Sequence, residues 1–243
     1  MFLIFSIFSI QTNFYIMKKT ILIITLFISS FSYSQYCAFF DFKTDEPEMV
    51  VSSLKGMMQT EWAKNIQGTK SLFAYQFNGT NEATHSVQFC FPDEASFASF
   101  SNSWNSSLVA QVFGEKLNNY IEPVRQVLNT PVWFQNDWGP DQVFFIYEME
   151  VSDPAMYVKE FSEFSMSWAK KTGMTNSYGV GIPISGKNSE YSHFVWTGAA
   201  DIETALSTTK KMFNDPLFAK YSSKVSKIRK LVNTTMMVRI MDF

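Results

Sequence analysis

Ala38 to Phe42 reads AFFDF, an apolar run of strand character that ends at Asp45-Glu46-Pro47. Pro47 suits the first turn of a helix, where the missing N–H has no intrahelical partner to lose. Val50, Val51, Leu54, Met57, Met58 and Ala63 then recur at helical spacing to about Ile66, and Gly68 marks the stop. Ser71 to Phe77 (SLFAYQF) alternates, and Asn78-Gly79 turns the chain. Ser86 to Phe91 alternates again, with Val87, Phe89 and Phe91 set against Ser86, Gln88 and Cys90. Asp93-Glu94 opens a second helical stretch expected to reach about Asn129, broken near Ser101 to Ser107. Thr130 to Gln135 (TPVWFQ) reads as a short closing strand.

The same order of strand, helix, strand, strand, helix, strand follows a second time. Val143 to Val151 is a strand, and Pro154 to Lys171 a helix with Tyr157, Phe161, Phe164 and Trp168 on one face. Asn176 to Ile184 and Ser192 to Thr197 form a hairpin. Ile202 to Leu231 is helical with an interruption near Asn214-Asp215-Pro216, and Thr235 to Met241 closes the unit. The repeat is legible in the letters: GTNEATHSVQFCFPD from Gly79 aligns with GKNSEYSHFVWTGAAD from Gly186. Asn81 then matches Asn188, His85 matches His193 and Asp93 matches Asp201. Leu128-Asn129-Thr130 aligns with Val232-Asn233-Thr234, and Gln135 with Arg239. A period this long is a duplicated domain rather than a solenoid repeat. Trp138-Gly139-Pro140 punctuates the two copies.

The N-terminus changes the picture. Met17-Lys18-Lys19-Thr20 is a short positive region, Ile21 to Ile28 is almost wholly apolar, and Ser32-Tyr33-Ser34 offers a small-residue cleavage site. This reads as a signal peptide within residues 1–34, with Met17 as an alternative start and Gln35 as the first mature residue. The apolar run is too short to span a bilayer, so the chain is expected to be exported, to periplasm or medium, with no membrane segment after cleavage. Removing Lys18 and Lys19 takes the formal charge from -2 to -4, which argues against a nucleic-acid partner. Lys220, Lys224, Lys227 and Lys230 form one helical stripe and read as a solvated face.

Two consecutive βαββαβ units resemble the ferredoxin-like split motif. Met212-Phe213-Asn214-Asp215-Pro216-Leu217-Phe218-Ala219-Lys220-Tyr221 is similar to a helix segment of the dimeric α/β-barrel superfamily, in its antibiotic-biosynthesis-monooxygenase-like branch. The resemblance implies an α+β fold in which two such sheets close into a barrel with the helices outside. Here residues 35–138 and 139–243 would be the two units, so the barrel would close within one chain.

In that strand order the first and third strands of a unit lie side by side. With Cys37 opposite Cys90, Asp41 stands opposite Ser86 and Phe39 opposite Gln88, all on one face. Phe40, Phe42, Val87, Phe89 and Phe91 take the other face and are better suited to packing on helices. The Cys37 face is therefore read as the lumen. The second unit offers Phe144, Ile146 and Glu148, with Phe194 and Trp196. Asp41 and Glu148 are repeat equivalents and candidate general bases; Arg239, Gln88, Gln135, Phe194 and Trp196 are candidate ligand contacts. Strand-end acids are also often held in salt bridges. An oxidising compartment, a chain with only two cysteines, and neighbouring strands together favour a Cys37–Cys90 disulfide over two buried thiols.

His85 and His193, the only histidines, sit at strand starts without further ligands at metal-binding spacing. They read as structural, and no metal or other cofactor is expected. Haem-handling members of the superfamily ligate through a helix histidine, which this chain lacks. Trp62, Trp104 and Trp168 at helical positions read as core. Three functions stay open: a small organic ligand bound in the lumen, a cofactor-independent monooxygenase or isomerase, and an interaction protein whose lumen is packed shut by Phe39, Phe144, Trp133, Trp196 and Met237. Oligomeric state is not legible.

Overall fold

The computed structural model describes residues 35–186 and 191–243. The signal-peptide reading and the Asn188 equivalence lie outside them. The first half runs β1 (Tyr36–Lys43), α1 (Pro47–Met58), α2 (Glu61–Lys64), β2 (Thr69–Phe77), β3 (His85–Phe91), α3 (Glu94–Ser106), α4 (Leu108–Asn118) and β4 (Glu122–Gln135). The second runs β5 (Val143–Val151), α5 (Pro154–Thr172), β6 (Tyr178–Ser185), β7 (His193–Ala199), α6 (Ile202–Phe213), α7 (Pro216–Val225) and β8 (Arg229–Asp242).

The strands close into one barrel in the order β1-β3-β2-β8-β5-β7-β6-β4. Each half thus contributes four neighbouring strands in the ferredoxin-like arrangement, and the β2–β8 and β4–β6 ladders are the seams. His85 stands opposite Phe42 and His193 opposite Met149, matching positions in the two halves. The helices cover the outside, where Phe42, Val87, Phe89 and Phe91 pack with Val50, Leu54, Met57 and Phe100. In the second half Val180 and Val195 pack with Tyr157, Phe161 and Trp168.

Local chemistry sets the helix ends. Asp93 and Asp201, the repeat-matched acids, accept from Ser96 N and Thr204 N, each at 2.7 Å, and start α3 and α6. Ser107 caps α4 through Ala110 N. Asp215 caps α7 through Leu217 N, with Pro216 in the first turn.

Both closing strands are longer than the sequence pattern indicates. The second helical stretch of the first half ends at Asn118 rather than near Asn129, and that of the second half ends at Val225 rather than Leu231. Pro123 gives the reason in β4: it cannot sit in a helix interior and biases Glu122 to extended backbone. Each long strand must also serve two ladders. β4 pairs with β1 through Glu122–Asn129 and with β6 through Leu128–Gln135.

The ladders also correct the alignment of these strands. Arg125 pairs with Asp41, and Asn233 pairs with Glu148, so Arg125 and Asn233 are the equivalent residues. Asn129 instead matches Met237, because Cys37 pairs with Asn129 and Phe144 with Met237. The loops before β4 and β8 absorb the slip. Arg239 therefore has no counterpart in Gln135.

Candidate functional site

Strand alternation turns Asp41 and Glu148 into the barrel, where they are 1 % and 8 % exposed. Two carboxylates in so dry a space need a counter-charge. It comes from Arg125, next to Asp41 on the adjoining strand. Its Nε donates to Asp41 Oδ2 at 2.9 Å and its Nη1 to Glu148 Oε1 at 2.6 Å. Burial opposes the guanidinium charge, but the two carboxylates outweigh it and raise Arg125 above its ordinary value. Tyr191 lies under the guanidinium, 5.9 Å from ring centroid to Cζ. Burial pushes the Tyr191 phenol up to about 12, although Arg125 pulls the other way. Burial, with Asp41 adding to it, holds the Tyr75 phenol well above its usual range. Asp41 Oδ1 has no hydrogen-bond partner among the described residues. A cavity of about 20 Å³ beside this cluster has room for about one water.

The other end of the lumen is open. A cavity of about 350 Å³ lies between the Cys37–Cys90 disulfide and the second half's aromatic residues. Phe39, Asn129, Ile146, Phe194 and Met237 line this cavity and the small one, so they form a floor between it and the ion cluster. Phe144, Trp138 and Trp196 build the far wall. Gln88 and Asn129 stand in the near wall, and Gln88 Nε2 and Asn129 Oδ1 are buried and have no partner among the described residues.

Space for the aromatic wall comes from β6. Gly179 and Gly181 stand opposite Trp196 and Phe194. A Cβ at 179 would lie 2.3 Å from Trp196 Cη2, and one at 181 would lie 2.5 Å from Phe194 Cζ. The two rings lean back onto glycine backbone, and the lumen stays open.

Arg239, Gln88, Phe194 and Trp196 all line the wide cavity. Arg239 does not meet the acids. Its Nη2 donates to Trp138 O and its Nη1 to Gly139 O, each at 2.9 Å, and Nη1 also pairs with Asp242 at 3.1 Å. It ties the linker between the halves across the mouth, and its Nε is buried without a partner among the described residues. Gln135 is exposed at the end of β4, opposite Tyr178, and lines none of these cavities. Trp133 packs outside the barrel on Phe161 and Tyr178, because the β4 register shifts between Pro131 and Trp133. Arg125, Tyr75 and Tyr191 are absent from the sequence-based site. Tyr75 was available by alternation from Ser71 and Phe73. Arg125 was hidden by reading its segment as helix.

Two further cavities lie between sheet and helices, about 730 Å³ in the first half and about 240 Å³ in the second. The second includes one buried unpartnered donor, Trp168 Nε1. His85 stacks on Phe42 and shares a hydrogen bond with Thr84; His193 bonds with Ser192 in the same way and meets the Tyr157 ring edge-on. Neither lines any of these cavities.

No protein-family model and no curated protein matches the sequence. Solved structures do match the shape. A candidate monooxygenase of Fusobacterium nucleatum superposes with a TM-score of 0.55 at 14% identity, over 86% of this chain and 93% of its own. The fold is a dimeric α/β-barrel fold. An anthrone oxidase-like protein matches at TM-score 0.56 and 11% identity, over 88% of this chain and 94% of its own. A heme-binding protein of Thermus thermophilus matches at TM-score 0.53 and 10% identity, over 86% and 92%. At such identities the likeness establishes the dimeric α/β-barrel fold alone, here built from both halves of one chain.

Proposed function

We propose that this protein is an exported binder of a small organic molecule, held in the wide end of the barrel lumen. One observation carries the reading: a cavity of about 350 Å³ inside the barrel, walled mostly by apolar atoms, with Gln88, Asn129 and Arg239 among its lining. That size is at the lower end of ordinary ligand sites, and a few placed polar groups in an apolar wall are their usual composition. Export is supported by the N-terminal pattern and by the disulfide. Among the described residues no helix is long and apolar enough to cross a membrane.

The enzyme reading draws on the candidate monooxygenase among the structural neighbours. It meets an obstacle in the geometry. The proposed bases, Asp41 and Glu148, share one arginine, and a floor of Phe39, Asn129, Ile146, Phe194 and Met237 separates them from the wide cavity. Haem, which the Thermus protein binds, fits poorly here. Both histidines are engaged at strand starts away from the cavities, and no group of three or more His, Cys, Asp or Glu converges among the described residues. No step through haem follows for this chain.

Native mass spectrometry of the full protein, purified from the compartment to which it is delivered, tests the proposal. A bound small molecule released on denaturation is expected, together with an N-terminus at Gln35. A protein that carries no ligand, and whose thermal midpoint no aromatic compound raises, would overturn it.

A further inference from the structure

A molecule bound in the lumen must first reach it. The Asp41–Arg125–Glu148 cluster closes one end, so entry falls to the wide end. Phe144, Phe194, Trp196 and Met237 line the wide cavity and are all buried, so its mouth is narrow. The exposed members of the lining mark the rim. They are Gly68 and Thr69 at the start of β2, Gly139 in the linker between the halves, and Asp242 at the end of β8. Most of this rim is fixed. Thr69 pairs with Cys90, and Asp242 with Ser71. Gly68 rests on the Cys90 carbonyl so closely that a Cβ would lie 2.1 Å from its oxygen. The linker alone stands outside the ladders and free of such a contact.

The linker is anchored at both ends and latched between them. Asn136 Nδ2 donates to Asn176 O at 3.0 Å. Buried Asp141 accepts from Asn176 Nδ2 at 2.6 Å and from Ser177 N at 2.9 Å. Asn136, with φ 62°, is the one non-glycine in the left-handed region among the described residues. Hinges are a few loop or element-end residues of this kind, which absorb a backbone change. Between the anchors, the only hydrogen bonds from linker to barrel among the described residues are the two that Arg239 makes, to Trp138 O and Gly139 O. Asp242 holds the guanidinium in place and is itself held by the Ser71 hydroxyl. The Trp138 ring roofs the aromatic wall, 5.5 Å from Phe134 and 6.2 Å from Trp196.

We propose, resting on the lumen as the binding site, that residues 136–141 form a strap over its mouth and that Arg239 is the latch. The strap turns about Asn136, Trp138 swings off Trp196, and a small molecule passes into the lumen. When the strap closes, the guanidinium regains both carbonyls. Arg239 is thus a positioning residue that sets how often the mouth opens. Its planar fork reaches two successive carbonyls while paired with Asp242, which a lysine ammonium does not reproduce.

Stopped-flow binding of the fluorophore 1-aminoanthracene to the full mature protein tests this. Opening of the strap limits both entry and exit. Arg239→Gln should therefore raise the association and dissociation rates together, each about tenfold, the ratio that one charged hydrogen bond supplies. The quotient of the two rates should move far less than either. Arg239→Lys should behave like Arg239→Gln although it keeps the charge. Asp242→Asn leaves the fork in place and should give a smaller rise in the same direction, which also serves if the Arg239 variants do not fold. Hydrogen exchange at the Gly139 and Asp141 amides should quicken in step. Unchanged rates would overturn the latch while the lumen site stands. Faster dissociation with unchanged association would do the same, since Arg239 would then be a ligand contact. If 1-aminoanthracene does not bind the wild type, the lumen reading fails and the strap with it.

Discussion

A single guanidinium balances two carboxylates in the closed end of this barrel, and that arrangement is costly to break. Arg125→Met would leave Asp41 and Glu148 buried without a counter-charge, and is expected to destabilise the protein by about 3–5 kcal/mol in urea denaturation. Adding Asp41→Asn and Glu148→Gln to that variant should recover most of the loss, since the remaining groups are neutral. A triple variant as unstable as Arg125→Met would show that packing, not charge, dominates. Tyr191 adds a pH dependence. Its phenol is held up to about 12 against an ordinary 10.0, so the folded state favours the protonated form. That contribution is complete below pH 10.0 and is lost as the pH rises toward about 12. Wild type should lose stability more steeply than Tyr191→Phe across this window. The inward placement of Asp41 and Glu148 was legible because strand alternation is a local rule. Their partner was not, since Arg125 sits in a segment whose polar and apolar spacing also fits a helix, and only Pro123 argues otherwise.

At the scale of elements, β6 decides whether the lumen is a cavity or a core. Gly181→Ala puts a methyl 2.5 Å from Phe194 Cζ, and the ring must swing into the barrel. The expected cost is about 1–3 kcal/mol of stability, with loss of naphthalene binding in calorimetric titration. Gly114→Ala in α4 is the control: nothing lies within 4 Å of the added methyl. It should raise stability by about 0.5–1 kcal/mol and leave binding alone. The hairpins, the helix start at Asp93 and the outward face of β3 all followed from periodicity and turn chemistry. The lengths of β4 and β8 did not. They are set by the two seams, where one strand must hydrogen-bond to a neighbour in each half, and no local pattern carries that requirement.

For the whole molecule, the Cys37–Cys90 bridge staples β1 to β3 in the first half, while Phe144 and Gly198 hold the matching positions in the second. Across a separation of 53 residues, reduction should cost about 4 kcal/mol in the chain-entropy picture. Denaturation with and without reductant measures it, and an unchanged midpoint after full reduction would contradict it. The bridge also walls the cavity, with aromatic rings from both halves around it, Phe39 and Phe73 from the first and Phe144, Phe194 and Trp196 from the second. The duplication was visible in the sequence, and so was the divergence between the copies that leaves the bridge in one half alone. The most direct test of the lumen as a binding site is to fill it. Ile146 lines both lumen cavities, and Ile146→Trp should occupy the space above the ion cluster. Calorimetric titration with naphthalene should then show one site in the wild type and none in Ile146→Trp, with both proteins folded by circular dichroism. Equal binding by the two would place the ligand outside the barrel and contradict the account.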